Sequence, residues 1–196
     1  MPFRLVVVLV VLASCTNDGQ HVERASTTTT ASTEVTLVEA PTVVARADLN
    51  CNGPIQQLDA PPDEYEAIGD GVALETSTST PTAFGTARTY FDNPSLRLAT
   101  KVALWVRTNA VTELIVPDRW LGQLAFQWNM PEVTTHLVVG PCNGESNWIA
   151  FPGGYFVSQV GCFDFIVRTG GIDHEISVGL GAPCPGQTPT TGYTES

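Results

Sequence analysis

Positive charge is scarce in this chain: Lys and Arg together number 9 against 20 Asp and Glu, a formal charge of −11. A domain this acidic repels nucleic acid and anionic lipid head groups, so neither is expected as a partner of its folded part. Long apolar runs are also missing. The stretch from Leu5 to Ala13 is far short of the about 20 residues needed to span a bilayer. Metal and redox chemistry find no signature: there is no Cys-x-x-Cys pair, no zinc-knuckle spacing and no His-Glu-x-x-His, and His21, His136 and His174 are too scattered to form a ligand pair. No glycine-rich phosphate loop and no sustained helical period occur. Neither a cofactor nor a metal site is therefore expected, and no catalytic residue can be named.

What is present begins at the N-terminus. Arg4 precedes the apolar run, giving the charged start and hydrophobic middle of an export signal. The run closes on Leu12-Ala13-Ser14-Cys15. This sequence resembles the lipobox of bacterial lipoproteins, with Leu three positions before the cysteine and small residues between. The resemblance implies a signal peptide over residues 1–14 and lipidation of Cys15 by a diacylglyceryl thioether, with palmitate-type acyl chains as the membrane anchor. It also implies a place on the extracytoplasmic face of the bacterial membrane. Two acyl chains give stable attachment where one gives only a marginal hold. Loss of Arg4 with the signal leaves eight cations against twenty carboxylates, a formal charge of −12.

Removing Cys15 from the 5 cysteines leaves Cys51, Cys142, Cys162 and Cys184, an even set that suits an oxidising compartment. Of the three possible connectivities, the expected one joins Cys142 to Cys162 across neighbouring strands and Cys51 to Cys184 across the two ends of the domain.

Residues 15–47 are polar, with Thr27 to Thr30 and then Thr33, Thr36 and Thr42, and carry no hydrophobic period able to offset the entropy of ordering them. They read as a lipidated, Thr-rich flexible stalk, with a random-coil span of about 30 Å. The composition permits O-linked sugars. Residues 185–196 read as a disordered tail.

Between them, residues 48–184 read as strands. From Leu98 to Arg107 the residues Leu98, Thr100, Val102, Leu104 and Val106 alternate with Ala99, Lys101, Ala103, Trp105 and Arg107, a period of two that no helix produces. Shorter runs follow at 111–116, 123–128, 134–139, 148–151, 155–157, 162–168 and 172–178, each bounded by Gly, Pro, Asn or Asp. Gly170-Gly171 suits a tight hairpin, and 118–121 offers at most one helical turn. The expectation is an all-β, antiparallel β-sandwich held by two disulfides. It is immunoglobulin-like in architecture only, because Cys142, Trp148 and Cys162 lie too close together for the immunoglobulin signature. The stretch from Trp148 to Val157, with Gly161-Cys162 and Gly181-Ala182-Pro183-Cys184-Pro185, resembles small actinobacterial envelope lipoproteins. That resemblance implies a disulfide-bonded β domain and carries no activity or site with it.

Several residues invite a chemical role. Asp59, Asp63, Glu64, Glu66 and Asp70 are dense enough to suggest calcium but lack an ordered ligand loop, and read as a solvated acidic loop. Gly144-Glu145-Ser146 begins like a hydrolase elbow, yet Trp148 stands where the second glycine belongs. His174 shares its side of the last strand with Ile172, Ile176 and Val178, at the rim of a core, whereas His136 reads as exposed. Trp105 falls on the polar side of its strand, and together with Trp148, Tyr155 and Phe156 it gives a candidate binding surface for sugars or a protein. The expected function is a non-catalytic binding or interaction module of the cell envelope, with an envelope protein or wall polymer as partner. The alternatives are a carbohydrate-active or other hydrolytic enzyme with a loop-assembled site, or a structural accessory subunit.

Overall fold

The computed structural model describes residues 43–75 and 95–187. Cys15, the signal segment and most of the stalk lie outside the described residues, as do residues 188–196. Among the described residues the chain forms fifteen strands and one short 3-10 turn, Asp118–Trp120. In chain order the strands are β1 (Val43–Val44), β2 (Ala47–Asp48), β3 (Gln56–Leu58), β4 (Glu66–Ile68), β5 (Val72–Leu74), β6 (Leu98–Ala99), β7 (Leu104–Arg107) and β8 (Thr112–Ile115). After the 3-10 turn come β9 (Leu124–Trp128), β10 (Val133–Thr134), β11 (His136–Val139), β12 (Trp148–Phe151), β13 (Gly153–Val157), β14 (Gly161–Thr169) and β15 (Ile172–Leu180).

They form three sheets of five strands: β1-β10-β9-β13-β6, β15-β14-β8-β11-β2 and β3-β12-β7-β5-β4. Two strand pairs pass from one sheet to another, which is how sandwich corners are built. At the first corner, residues 98–107 run antiparallel to 148–157. Their register continues through Thr100 N–H to Tyr155 C=O at 2.9 Å and Val102 N–H to Gly153 C=O at 3.0 Å. At the second corner, β1 and β2 lie parallel to β10 and β11, with Thr135 N–H reaching Val44 C=O at 3.3 Å at the bend. These two parallel pairings make the first and second sheets mixed, within the expected antiparallel β-sandwich, whose third sheet is antiparallel throughout. They also place Val43, Val44 and Ala47, read as stalk, in strands.

All three sheets contribute to one core, including Leu74, Val106 and Phe151 from the third sheet, Phe126, Trp128 and Tyr155 from the first, and Leu114, Phe165 and Val167 from the second. Phe126 is the aromatic hub, with its ring 5.3 Å from Phe165, 5.8 Å from Trp128 and 6.2 Å from Tyr155. Trp128 satisfies its indole N–H on the Val102 carbonyl at 2.8 Å.

The cysteine pairing differs from expectation. Cys51 bonds Cys142, and Cys162 bonds Cys184. Cys142 follows β11 and Cys162 lies on β14, and β8 stands between those two strands. Two strand spacings come to about 10 Å, beyond the roughly 7 Å Cα limit for a disulfide. Cys51 instead sits beside Cys142 because 47–49 runs along β11, with Leu49 N–H on the Val138 carbonyl at 2.8 Å. Past Cys184, Gln187 folds back on it: the Cys184 N–H donates to Gln187 Oε1 at 2.6 Å. The first residues of the expected tail therefore belong to the fold.

Candidate binding surface

The four aromatic residues expected to form a surface do not form one. Trp105 is 2% exposed, Trp148 6%, Tyr155 1% and Phe156 6%. Tyr155 points into the main core, and Phe156 packs on the far side of its sheet with Leu96, Ala125 and Val133. Trp105 and Trp148 do lie on the outer face of β7 and β12, as the alternation required, but a second apolar cluster covers that face. Tyr65 caps Trp105 edge-on, with ring centres 6.1 Å apart, and Leu58 closes the other side. The Arg107 guanidinium lies 6.0 Å from the centre of the Trp148 ring. The segment between Leu58 and Tyr65, which carries Pro61-Pro62 and the exposed Asp63 and Glu64, joins two of the residues that pack on this cluster, while Glu66 opens β4. Burial raises the Glu75 carboxyl above the ordinary range, helped by Glu64, and burial together with Glu75 raises the Tyr65 phenol. Among the described residues no group of three or more His, Cys, Asp or Glu is placed to hold a metal ion.

A different surface emerges on the outer face of the second sheet. Cross-strand neighbours share a face, and the buried row Thr112, Leu114, Phe165 and Val167 marks the inner one. Glu113, His136, Asp164, Arg168, Asp173 and Glu175 therefore stand outward. Glu113 sits at the centre, 3.4 Å from both Arg46 and Arg168 and 3.5 Å from His136 Nε2. His136 is thus half-buried against a carboxylate, where exposure was expected. Arg168 grips Asp173 with two nitrogens, at 2.6 and 2.9 Å. Arg119, carried by the 3-10 turn, spans Asp164 and Glu175 at 2.6 Å each. Asp164 also accepts from the Trp120 indole at 3.3 Å and from Ser177 Oγ at 3.4 Å. A shallow depression of about 510 Å³ opens beside the Gly170-Gly171 hairpin, lined by Asp70, Glu113, Val111 and Arg168.

These contacts act on the protonation of two aspartates. Burial pushes Asp164 up but is outweighed by Arg119, Trp120 and Ser177, which hold it below the usual value of 3.8. Arg168 does the same to Asp173. A carboxyl lowered by folding adds stability that is complete above its unfolded pKa and disappears as pH falls through the folded one. Glu75, which folding raises, has the opposite sign: it costs stability at neutral pH and the cost is relieved on acidification. Arg119→Ala is therefore expected to lower Tm at pH 7 and to lower it by progressively less as pH falls below 3.8. Thermal melts between about pH 2 and 7 check it, and an equal loss at both ends would show that Arg119 acts by packing alone.

The remaining candidates are apart. His174 is half-exposed, and its imidazole lies near Gly69. Ser146 precedes β12 directly, with no helix to form an elbow. Sequence reasoning missed the charges of 113, 164, 168, 173 and 175, on strands, and of 119, on the 3-10 turn, because their partnerships depend on a register that no local pattern supplies. No protein-family model matches this chain, and no curated protein matches it.

Proposed function

We propose that this chain is a membrane-anchored extracytoplasmic lipoprotein, and that its β-sandwich is a non-catalytic binding module of the cell envelope. The observation that carries the reading is the cysteine balance. Two disulfides use Cys51, Cys142, Cys162 and Cys184, which suits an oxidising compartment. They leave the fifth cysteine, Cys15, for the thioether that the Leu-Ala-Ser-Cys pattern implies. The open, charged face of the second sheet supports binding rather than an enclosed reaction, since Arg119 and Arg168 favour the ionised forms of Asp164 and Asp173 on it.

The anchor is tested by expressing wild type and Cys15→Ala in a bacterial host with labelled palmitate. Wild type takes up label and sediments with membranes, while Cys15→Ala takes up none and appears in the soluble exported fraction. Persistence of the variant on detergent-free membranes overturns the reading.

A further inference from the structure

We infer that β15 is a docking edge for an extended segment of another protein, one whose side chains alternate between apolar and cationic. This deepens the binding-module reading and rests on it. Among the described residues β15 is the outer strand of its sheet, paired only with β14 through nine consecutive residues without a bulge. The two-residue turn Gly170-Gly171, with φ of +57 and +79, closes on Thr169 and Ile172, and the closing pair of such a turn is hydrogen-bonded. Bonded and non-bonded pairs then alternate along the hairpin. Residues 172, 174 and 176 spend their N–H and C=O groups on β14, whereas Asp173, Glu175 and Ser177 point theirs away from the sheet.

The side chains of this edge form two stripes. Ile172, 63% exposed, and the half-exposed His174 and Ile176 line the inner side. Asp173 and Glu175 line the outer side, each held in place by Arg168 or Arg119. An incoming strand that continues both stripes carries apolar residues inward and Lys or Arg outward, and its backbone completes the bonds of the three open residues.

A second copy fits this edge poorly. Antiparallel pairing over the exposed stretch that matches open residues sets Asp173 against Glu175 of the copy, or Glu175 against itself. The register avoiding both shifts the copy over Val178–Leu180, where Gln187 and Ala182 lie against Gly179. Carboxylates at an edge guard against self-association, and the same carboxylates select a basic partner.

The test uses the full chain carrying Cys15→Ala, so that anchoring plays no part, and two short synthetic peptides, one alternating valine with lysine and one alternating valine with glutamate. Amide exchange is followed by NMR. The valine–lysine peptide should slow exchange at Asp173, Glu175 and Ser177 by about tenfold or more and leave His174 and Ile176 unchanged. Ser177→Pro removes one outward N–H without touching the β14 ladder, and should weaken binding by about tenfold at unchanged circular dichroism. No change at the three amides, or equal effects from both peptides, overturns the proposal. Concentration-dependent protection of those amides without peptide would instead assign the edge to a second copy. None of these outcomes depends on the palmitate and fractionation result, so failure here is distinct from failure of the anchor.

Discussion

Gly154→Ala is expected to destabilise the fold severely. An added Cβ would overlap the carbonyl oxygen of Thr100 and sit 2.8 Å from its carbon. Both are backbone atoms, fixed by the Thr100 N–H to Tyr155 C=O bond on one strand and by the Tyr155 N–H to Thr100 Oγ1 bond, 3.2 Å, on the other. No rotamer change relieves such a clash, so the strands at the first corner must separate. Overpacking costs about 1 to 3 kcal/mol where side chains can adjust. Here the cost should reach or exceed about 3 kcal/mol, a large share of the roughly 5 to 15 kcal/mol that holds a domain together. Gly140→Ala is the control, because no atom lies within 4 Å of its added Cβ and its effect should stay within about 1 kcal/mol. Urea denaturation of both variants decides the matter: equal midpoints would mean that 98–107 and 148–157 do not cross as described.

The second large effect concerns the disulfides, which should differ in worth. Cys51–Cys142 closes a sequence separation of 91 and Cys162–Cys184 one of 22. The chain-entropy relation gives about 4 to 5 kcal/mol for the first and about 3 for the second. Replacing Cys51 and Cys142 together by Ala should therefore lower Tm more than the same change at Cys162 and Cys184. Cys142 adds to the difference, since it is fully buried in the core. Non-reducing peptide mapping must first recover the 51–142 and 162–184 pairs; recovery of 142–162 would overturn both the pairing and the ranking.

The strand content of this chain was legible because apolar residues recur every second position. Strands β8, β12, β14 and β15, the Gly170-Gly171 turn and the single helical turn at 118–120 all fall where the alternation and its punctuation put them. Strands β1 to β5 were missed, since each has only two or three residues and none completes a period. Alternation also could not say what lies above a face. It correctly turned Trp105 outward from the main core, but the cover comes from Tyr65, forty residues earlier in a Pro-Pro segment with no apolar run to announce it. The disulfides failed for a related reason: Cys142 and Cys162 are near in sequence, and only the insertion of β8 between β11 and β14 keeps them apart. The acidic residues of β15 went unremarked, and their partnership with Arg119 and Arg168 comes about through strand order and the placement of the 3-10 turn.

The parallel seating of β1 and β2 also has a mechanical side. Force applied at Val43 along the strand axis draws this segment lengthwise along β10 and β11, so the hydrogen bonds at the second corner bear the load together, in shear, instead of opening one after another. At the far end of the same segment Cys51 is covalently bound to Cys142, so force that outlasts the hydrogen bonds passes into the core through a covalent bond. Force applied at Val43 is thus met first by hydrogen bonds in shear and then by a disulfide.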